Sequence, residues 1–252
     1  MLPRGFPRTH LVAHRGLATK YPENSLPALE QAAAVGARII EFDIQLSSDH
    51  VPMVIHDADL RRTTGRVGAV GAFSAAELGR VGCGYAERFA DEFESLKICS
   101  LDQIVAVMAQ IQRSYLLAEI KDESIARFGL QTCMEAVLTA LAPVRARTVL
   151  ISFSQAAVRY AQNAGWPVGW CLDAHDSAAR EFATTLGPEL LLTDQRALTS
   201  ADDLWPGVWK WASWEVLDPR RALELMSFGL DYVETMGCDD LLANAELARA
   251  MS

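Results

Sequence analysis

A chain of 252 residues, half of them hydrophobic and 22% charged, can bury a large core and does not have the composition of a disordered segment. Its formal net charge of -9 argues against nucleic acid or an anionic membrane as the main partner, while leaving room for a local basic pocket that holds one phosphate. The five cysteines (Cys83, Cys99, Cys133, Cys171 and Cys238) are scattered, odd in number and without a CxxC pair, which reads as reduced packing residues in a cytoplasmic protein. The N-terminal Met-Leu-Pro-Arg-Gly-Phe-Pro-Arg lacks the apolar stretch of a signal peptide, and no apolar run of about eighteen residues predicts a membrane span. Oligomeric state is not set by any of this.

Short apolar runs predict strands at Leu11–His14, Arg38–Leu46, Val51–His56, Tyr115–Ile120, Val149–Phe153, Val168–Leu172, Leu190–Thr193, Lys210–Val216 and Tyr232–Glu234. Amphipathic stretches predict helices at Ser25–Val35, Leu101–Arg113, Ile125–Leu141, Gln155–Asn163, Ala178–Leu186, Pro219–Ser227 and Asp239–Ala250. This alternation over about 250 residues predicts a (β/α)8 TIM barrel, an α/β fold with a parallel sheet inside and helices outside. No GxGxxG turn follows the first strand, which weakens a dinucleotide-binding sheet as the alternative.

Nine strands exceed the eight of such a barrel, and Ser47-Ser48-Asp49-His50 explains the surplus. Four residues are too few for a parallel crossover but suffice for a hairpin. A two-residue turn at Asp49-His50 would set Asp43 directly across from His56, with Glu41 on the same face. The next segment, about 57–100, is rich in glycine and predicts an insertion after the third strand, with a short helix at Ser74–Gly79. It reads equally as a lid over the barrel mouth or as a packed surface feature, within a single domain spanning 1–252.

The chemistry-bearing residues sit at strand ends. Glu41, Asp43 and Glu119 are acids inside apolar strands, where a buried carboxylate is costly without a cation beside it. An oxygen-only set with no cysteine nearby favours one hard divalent ion, Mg²⁺ or Ca²⁺, over zinc. The plainer reading is that each acid pairs with Arg15, Arg38 or Lys121. Lys121 shares a face with Glu119, and Arg15 follows His14; a lysine and an arginine beside a metal suit phosphate oxygens. His14 and His56 could then act as general base and acid on either side of a phosphodiester. His10, His50 and His175 read as exposed loop residues, Trp205, Trp209 and Trp211 as core, and Trp214 as a wall of the pocket.

The chain resembles the glycerophosphodiester phosphodiesterases, TIM-barrel hydrolases related in architecture to phosphatidylinositol-specific phospholipases C. The resemblance rests on His14-Arg15-Gly16, Pro22-Glu23-Asn24-Ser25, Glu41-Phe42-Asp43, Asp49, His56-Asp57, Leu60, Arg62-Thr63-Thr64-Gly65 and Glu119-Ile120-Lys121, in this order. It is strong over the first half; Ser152-Phe153 and Trp214-Glu215-Val216 match more weakly. It implies His14 and His56 as the acid/base pair, Glu41, Asp43 and Glu119 as ligands of one divalent metal, and Arg15 and Lys121 as phosphate-holding groups. The implied reaction is hydrolysis of a small-molecule glycerophosphodiester to glycerol 3-phosphate and an alcohol, in this family often through attack by the neighbouring glycerol hydroxyl and a cyclic phosphate.

Ser25 replaces the usual threonine, Cys99-Ser100-Leu101 the usual proline-threonine-leucine, Leu217 an asparagine, and Met236 the aspartate of a threonine-aspartate pair. The last two alter the far side of the mouth, where the leaving alcohol would be read. Two other readings stand beside the resemblance. A lysophospholipase D-like enzyme would need an apolar entrance, for which Phe73, Tyr85, Phe89 and Phe93 are candidates. A non-catalytic phosphodiester-binding barrel would have no use for a histidine pair.

Overall fold

All nine strands form, and eight of them close on themselves. In the structure, a computed structural model describing residues 1–8 and 10–251, the strands are β1 (His10–Ala13), β2 (Ile39–Leu46), β3 (Pro52–Val54), β4 (Tyr115–Ile120), β5 (Thr148–Ser152), β6 (Val168–Cys171), β7 (Leu190–Asp194), β8 (Lys210–Trp214) and β9 (Tyr232–Thr235). They run in the order β1-β9-β8-β7-β6-β5-β4-β2, and a parallel β1–β2 pairing closes the ring. Every neighbour in the ring is parallel, so this is a (β/α)8 TIM barrel. β3 lies outside it, antiparallel on β2. It fits because β1 ends opposite Ile40 and leaves the later part of β2 without a neighbour on that side.

The hairpin register differs by one residue from the sequence expectation. The ladder sets Ile44 opposite Val54 and Leu46 opposite Pro52, and the Ile55 N–H donates to the Asp43 carbonyl at 3.0 Å. Asp43 therefore stands across from Ile55, not His56. The cause is the loop: Ser47 N–H donates to Val51 O at 3.0 Å, and His50 adopts a left-handed φ of 61°. That makes a three-residue connection instead of two. A slip of one residue would turn His56 to the opposite face if the strand continued. It does not continue: β3 ends at Val54, and His56 reaches the mouth from the segment beyond.

Alternation sorts side chains into two cores. Val12, Ile39, Leu117, Ile151, Leu192 and Tyr232 point into the barrel, none more than 2% exposed. Phe6 closes the lower end edge-to-face on Tyr115 and Tyr232, with centroids at 5.1 and 5.6 Å. The opposite faces carry Ile40, Phe42, Ile44 and Leu116 against the surrounding helices. Helix α1 (Leu26–Ala34) starts at Ser25, whose hydroxyl donates to Pro22 O at 2.6 Å and accepts from Ala28 N–H at 3.3 Å.

The insertion holds α2 (Arg61–Thr64), α3 (Ala75–Leu78, with a Ser74–Glu77 capping box) and α4 (Ala86–Phe89). It has a core of its own, with Met53, Ile55, Leu60, Val70, Leu78 and Ile98 buried together. After α5 (Leu101–Met108), the single helix expected over Ile125–Leu141 is two, α6 (Asp122–Phe128) and α7 (Leu130–Leu141). Gly129 breaks it at φ 86°. The C-terminal helix is likewise split into Cys238–Leu242 and Ala245–Ala250, because the Asn244 side chain caps the second piece. Among the described residues, no helix is long and apolar enough to cross a membrane.

Candidate active site

Beyond the dry interior, the same inward faces turn polar at the C-terminal ends of the strands, where TIM barrels place their sites. β1 ends in a sharp turn. Arg15 takes a left-handed φ of 57° and Gly16 one of 84°. A Cβ on Gly16 would lie 2.5 Å from the Ala28 carbonyl carbon, so only glycine fits there. The turn aims the Arg15 N–H at Glu41 Oε2, 2.9 Å away. Asn24, also left-handed, donates its own N–H to Arg15 O at 3.1 Å. Its side chain clamps Asp43, donating to Oδ2 at 2.7 Å and accepting the Asp43 N–H at 3.0 Å.

Glu41 and Asp43 alternate inward along β2, and the ladder sets Glu119 of β4 directly beside Asp43. All three are buried, and each offers an oxygen within 4.8 Å of the others. Lys121 Nζ lies 2.8 Å from Asp43 Oδ1 and 2.6 Å from Glu119 Oε1, and Arg15 Nε lies 3.3 Å from Asp43 Oδ2. The plainer reading of the acids is thus met in part, through Lys121 and Arg15. Burial would raise Asp43, but Lys121 and Arg15 hold it well below the usual carboxylate range. Glu41 goes the other way: burial, then the charges of Asp43, Glu234 and Glu119, push it well above its ordinary value. Its Oε1 is buried with no hydrogen-bond partner.

Two acids outside the expected ligand set complete the cluster. Glu234 of β9 is 3% exposed and is pushed up to about 7 by burial, against the pull of His14. Glu215, just past β8, meets His14 Nδ1 with Oε2 at 2.5 Å and accepts the Met236 N–H on Oε1 at 2.8 Å. Glu41, Asp43, Glu119, Glu215 and Glu234 therefore gather at a mouth with two fixed cations, Arg15 and Lys121, and Arg15 also bonds Glu23. That excess, with the unpartnered Glu41 oxygen and an oxygen-only donor set, fits a hard divalent ion at Glu41, Asp43 and Glu119.

The histidines are held alike. Asp57 Oδ1 lies 2.6 Å from His56 Nδ1, as Glu215 does for His14. With a carboxylate as acceptor, each Nδ1 is the donor and Nε2 is the nitrogen turned away from that carboxylate; His14 Nε2 lies 3.9 Å from Glu41 Oε2. Burial opposes a proton on His14, but the bond to Glu215 and the charge of Glu234 outweigh it and raise its pKa. For His56, burial wins over the attraction of Asp43 and lowers it.

A cavity of about 80 Å³ brings together His14, Arg15, His56, Glu119, Lys121 and Trp214. An adjoining cleft of about 460 Å³ shares His56, Glu119, Lys121 and Phe153 with it, and adds Asp122, Glu123 and Asp173. Trp214 packs edge-to-face on Phe153 at 5.6 Å. The residues singled out in the sequence thus converge on one mouth.

The remaining aromatics and histidines lie elsewhere. None of Phe73, Tyr85, Phe89 and Phe93 lines either space. Phe89 meets Phe93 edge-to-face, and Phe93 packs at a tilt against Tyr21, pinning the insertion down. Trp205, Trp209 and Trp211 are buried as expected. His175 is half-buried against Trp205 at 4.3 Å instead of exposed in its loop, and His50 is exposed in the hairpin. The side chain of His10 lies outside the described residues.

Glu215 falls within the weakly matching Trp214-Glu215-Val216, but its pairing with His14, 201 residues away, does not show in that match. Asp57 could have been found: an acid next to a candidate catalytic histidine is a natural orienting group.

The fold and its mouth are those of the barrel phosphodiesterases. Residues 14–178 match the glycerophosphoryl diester phosphodiesterase family, and the chain belongs to it. It is 36% identical to a glycerophosphodiester phosphodiesterase of Bacillus altitudinis over 120 residues, 48% of this chain and 48% of that one, so the match spans about half the relative's length. Among solved structures it is similar to an Oleispira antarctica phosphodiesterase in complex with the product sn-glycerol-3-phosphate, at 27% identity and a TM-score of 0.83, covering 93% of this chain and 95% of that one. A glycerophosphodiester phosphodiesterase of Agrobacterium tumefaciens shares the fold at 24% identity and a TM-score of 0.73, over 94% of this chain and all of the other.

Proposed function

We propose that this chain hydrolyses glycerophosphodiesters to glycerol 3-phosphate and an alcohol, with one divalent ion, Mg²⁺ or Ca²⁺, at Glu41, Asp43 and Glu119. The observation that carries the reading is the pairing of two carboxylate-oriented histidines with one buried oxygen triad around a single cavity. The Oleispira neighbour holds sn-glycerol-3-phosphate, the product this reading assigns.

Arg15 and Lys121 hold phosphate oxygens. One histidine, through Nε2, removes a proton from the attacking oxygen, and the other protonates the departing alkoxide as its P–O bond breaks and the new P–O bond forms; water is that oxygen in direct hydrolysis, and where the neighbouring glycerol hydroxyl attacks first, water then opens the cyclic phosphate in a second such step to give glycerol 3-phosphate. Glu215 and Asp57 keep the rings turned for those transfers. When bound, the ion polarises a phosphoryl oxygen and offsets charge in the transition state. The alcohol occupies the 460 Å³ cleft, where Asp122, Glu123 and Asp173 make a cationic alcohol a better tenant than one that also carries a carboxylate.

The test is turnover of glycerophosphocholine, glycerophosphoethanolamine, glycerophosphoserine and a lysophospholipid with Mg²⁺ or Ca²⁺, with and without EDTA. Release of glycerol 3-phosphate that EDTA abolishes is expected, with glycerophosphoserine slowest of the three glycerophosphodiesters. Absence of turnover with the metal loaded would overturn the reading.

A further inference from the structure

Two charged residues of the matching motifs have no part in that chemistry. Glu23 precedes α1 and is 8% exposed; Arg62 belongs to α2, the first helix of the insertion. They meet as a fork, Arg62 Nη1 to Glu23 Oε2 and Arg62 Nη2 to Glu23 Oε1, both at 2.7 Å. Glu23 Oε1 also accepts from Arg15 Nη1 at 2.9 Å. A second edge of the same guanidinium grips Asp57, with Nε to Oδ2 at 2.6 Å and Nη2 to Oδ1 at 3.0 Å. Asp57 Oδ1 in turn takes His56 Nδ1 at 2.6 Å. The ring of Tyr85, 5.6 Å from the guanidinium carbon, backs the arrangement.

The chain of contacts runs Arg15–Glu23–Arg62–Asp57–His56. His56 needs such support. It lies past the end of β3, and the contacts found for its own groups are the ring bond to Asp57 and its carbonyl's bond from Gln45 Nε2 at 3.2 Å. Asp57 is itself only half-buried, so without Arg62 its carboxylate could swing to water and take the ring with it. A planar guanidinium bound on two edges has one position, which a lysine cannot reproduce.

We propose that Glu23 and Arg62 are positioning residues for the reaction: their ion pair ties the phosphate-holding Arg15 to the Asp57–His56 pair, so the insertion braces the acid/base group from the side. The inference rests on His56 being a proton carrier.

Arg62→Lys and Glu23→Gln test it in the full chain with Mg²⁺ and glycerophosphocholine, beside Asp57→Asn and His56→Gln. Both positioning variants should stay folded by circular dichroism. Each should lose about 10- to 100-fold in kcat, with KM changed far less, as expected when a reacting group is misplaced by an ångström or so. Arg62→Lys combined with Asp57→Asn should be no slower than the worse single variant. By ¹⁵N NMR, neutral His56 should be the Nδ1–H tautomer in the parent and a mixture in Arg62→Lys.

Wild-type kcat in both positioning variants, with only thermal stability lowered, would overturn the inference and leave an ion pair that merely fastens the insertion. Multiplicative losses in the double variant would overturn it as well. Wild-type kcat in His56→Gln would remove the acid/base reading and this inference together, whereas a crippled His56→Gln beside unaffected positioning variants removes this inference alone.

Discussion

The two halves of the barrel contribute different things to one mouth. β1, β2 and β4, with the hairpin on β3, carry His14, Arg15, Glu41, Asp43, His56, Glu119 and Lys121. β5 to β9 contribute an apolar wall, with Ile151, Phe153, Cys171, Leu192 and Trp214, and two acids next to the seam, Glu234 of β9 and Glu215 just past β8. Acids and cations that must neutralise one another have to sit within hydrogen-bond reach, which adjacent in-register strands provide and opposite sides of a barrel do not. A wall has no such constraint. His14 stands at the seam, since β1 lies between β2 and β9, and its orienting acid, Glu215, comes from the other half. His56 draws its orienting acid, Asp57, from its own half.

The sharpest test of this division is to damage each half once. His56→Ala should cost on the order of 10²–10⁴-fold in kcat, the usual range for loss of a positioned proton carrier. Phe153→Leu in the wall keeps apolar bulk and loses the edge-to-face contact with Trp214. Such a contact is worth about 0.5–1.5 kcal/mol, so kcat/KM should fall by no more than about tenfold. Equal losses in kcat from the two variants would erase the distinction between reacting half and wall.

The seam gives a middle-sized effect. Glu215→Gln removes a charged hydrogen bond of a kind worth roughly 1.5–3 kcal/mol, which corresponds to about 10- to 100-fold in kcat if it is fully expressed at the transition state. In a His14→Ala background the same substitution should do almost nothing, because Glu215 would have no ring left to orient. A full-sized loss in that background would show Glu215 acting directly on substrate or metal.

The same division governs how much could be read from the sequence. β2 and β4 announce themselves as apolar strands interrupted by acids at alternate positions, and that pattern carries both the inward face and the triad. Gln155–Asn163 matches to the residue, and in the structure Ser154 caps it. The hairpin register escapes because it depends on the φ of one residue: His50 goes left-handed without being a glycine, which adds a residue to the loop. Gly129 inside a helical pattern costs only about 1 kcal/mol relative to alanine, too little to announce a break. Glu215 and Arg62 lie in segments that carry the resemblance, but their pairings escape, since Glu215 meets His14 across the seam and Arg62 meets Glu23 39 residues away.

The smallest expected signal is one of slope and concerns the brace in the reacting half. Burial should raise the Glu23 pKa, yet the hydrogen bonds and charges of Arg62 and Arg15 bring it below the ordinary 4.5. The unfolded chain therefore binds this proton at higher pH than the folded one. The stabilisation from Glu23 is fully present above about pH 4.5 and is lost as pH falls through the folded pKa. Glu23→Gln should lower stability at neutral pH by stripping Arg62 and Arg15 of a shared partner, and its gap to the parent should narrow as pH drops below about 4.5, read from urea midpoints. Asp194 in the other half is also lowered, by its hydrogen bond to Arg196, but the arginine of that pair is fully exposed and water screens the attraction. Asp194→Asn should therefore leave the acid limb unchanged. If it flattened that limb as much as Glu23→Gln does, proximity to an arginine would suffice and burial of the brace would count for nothing.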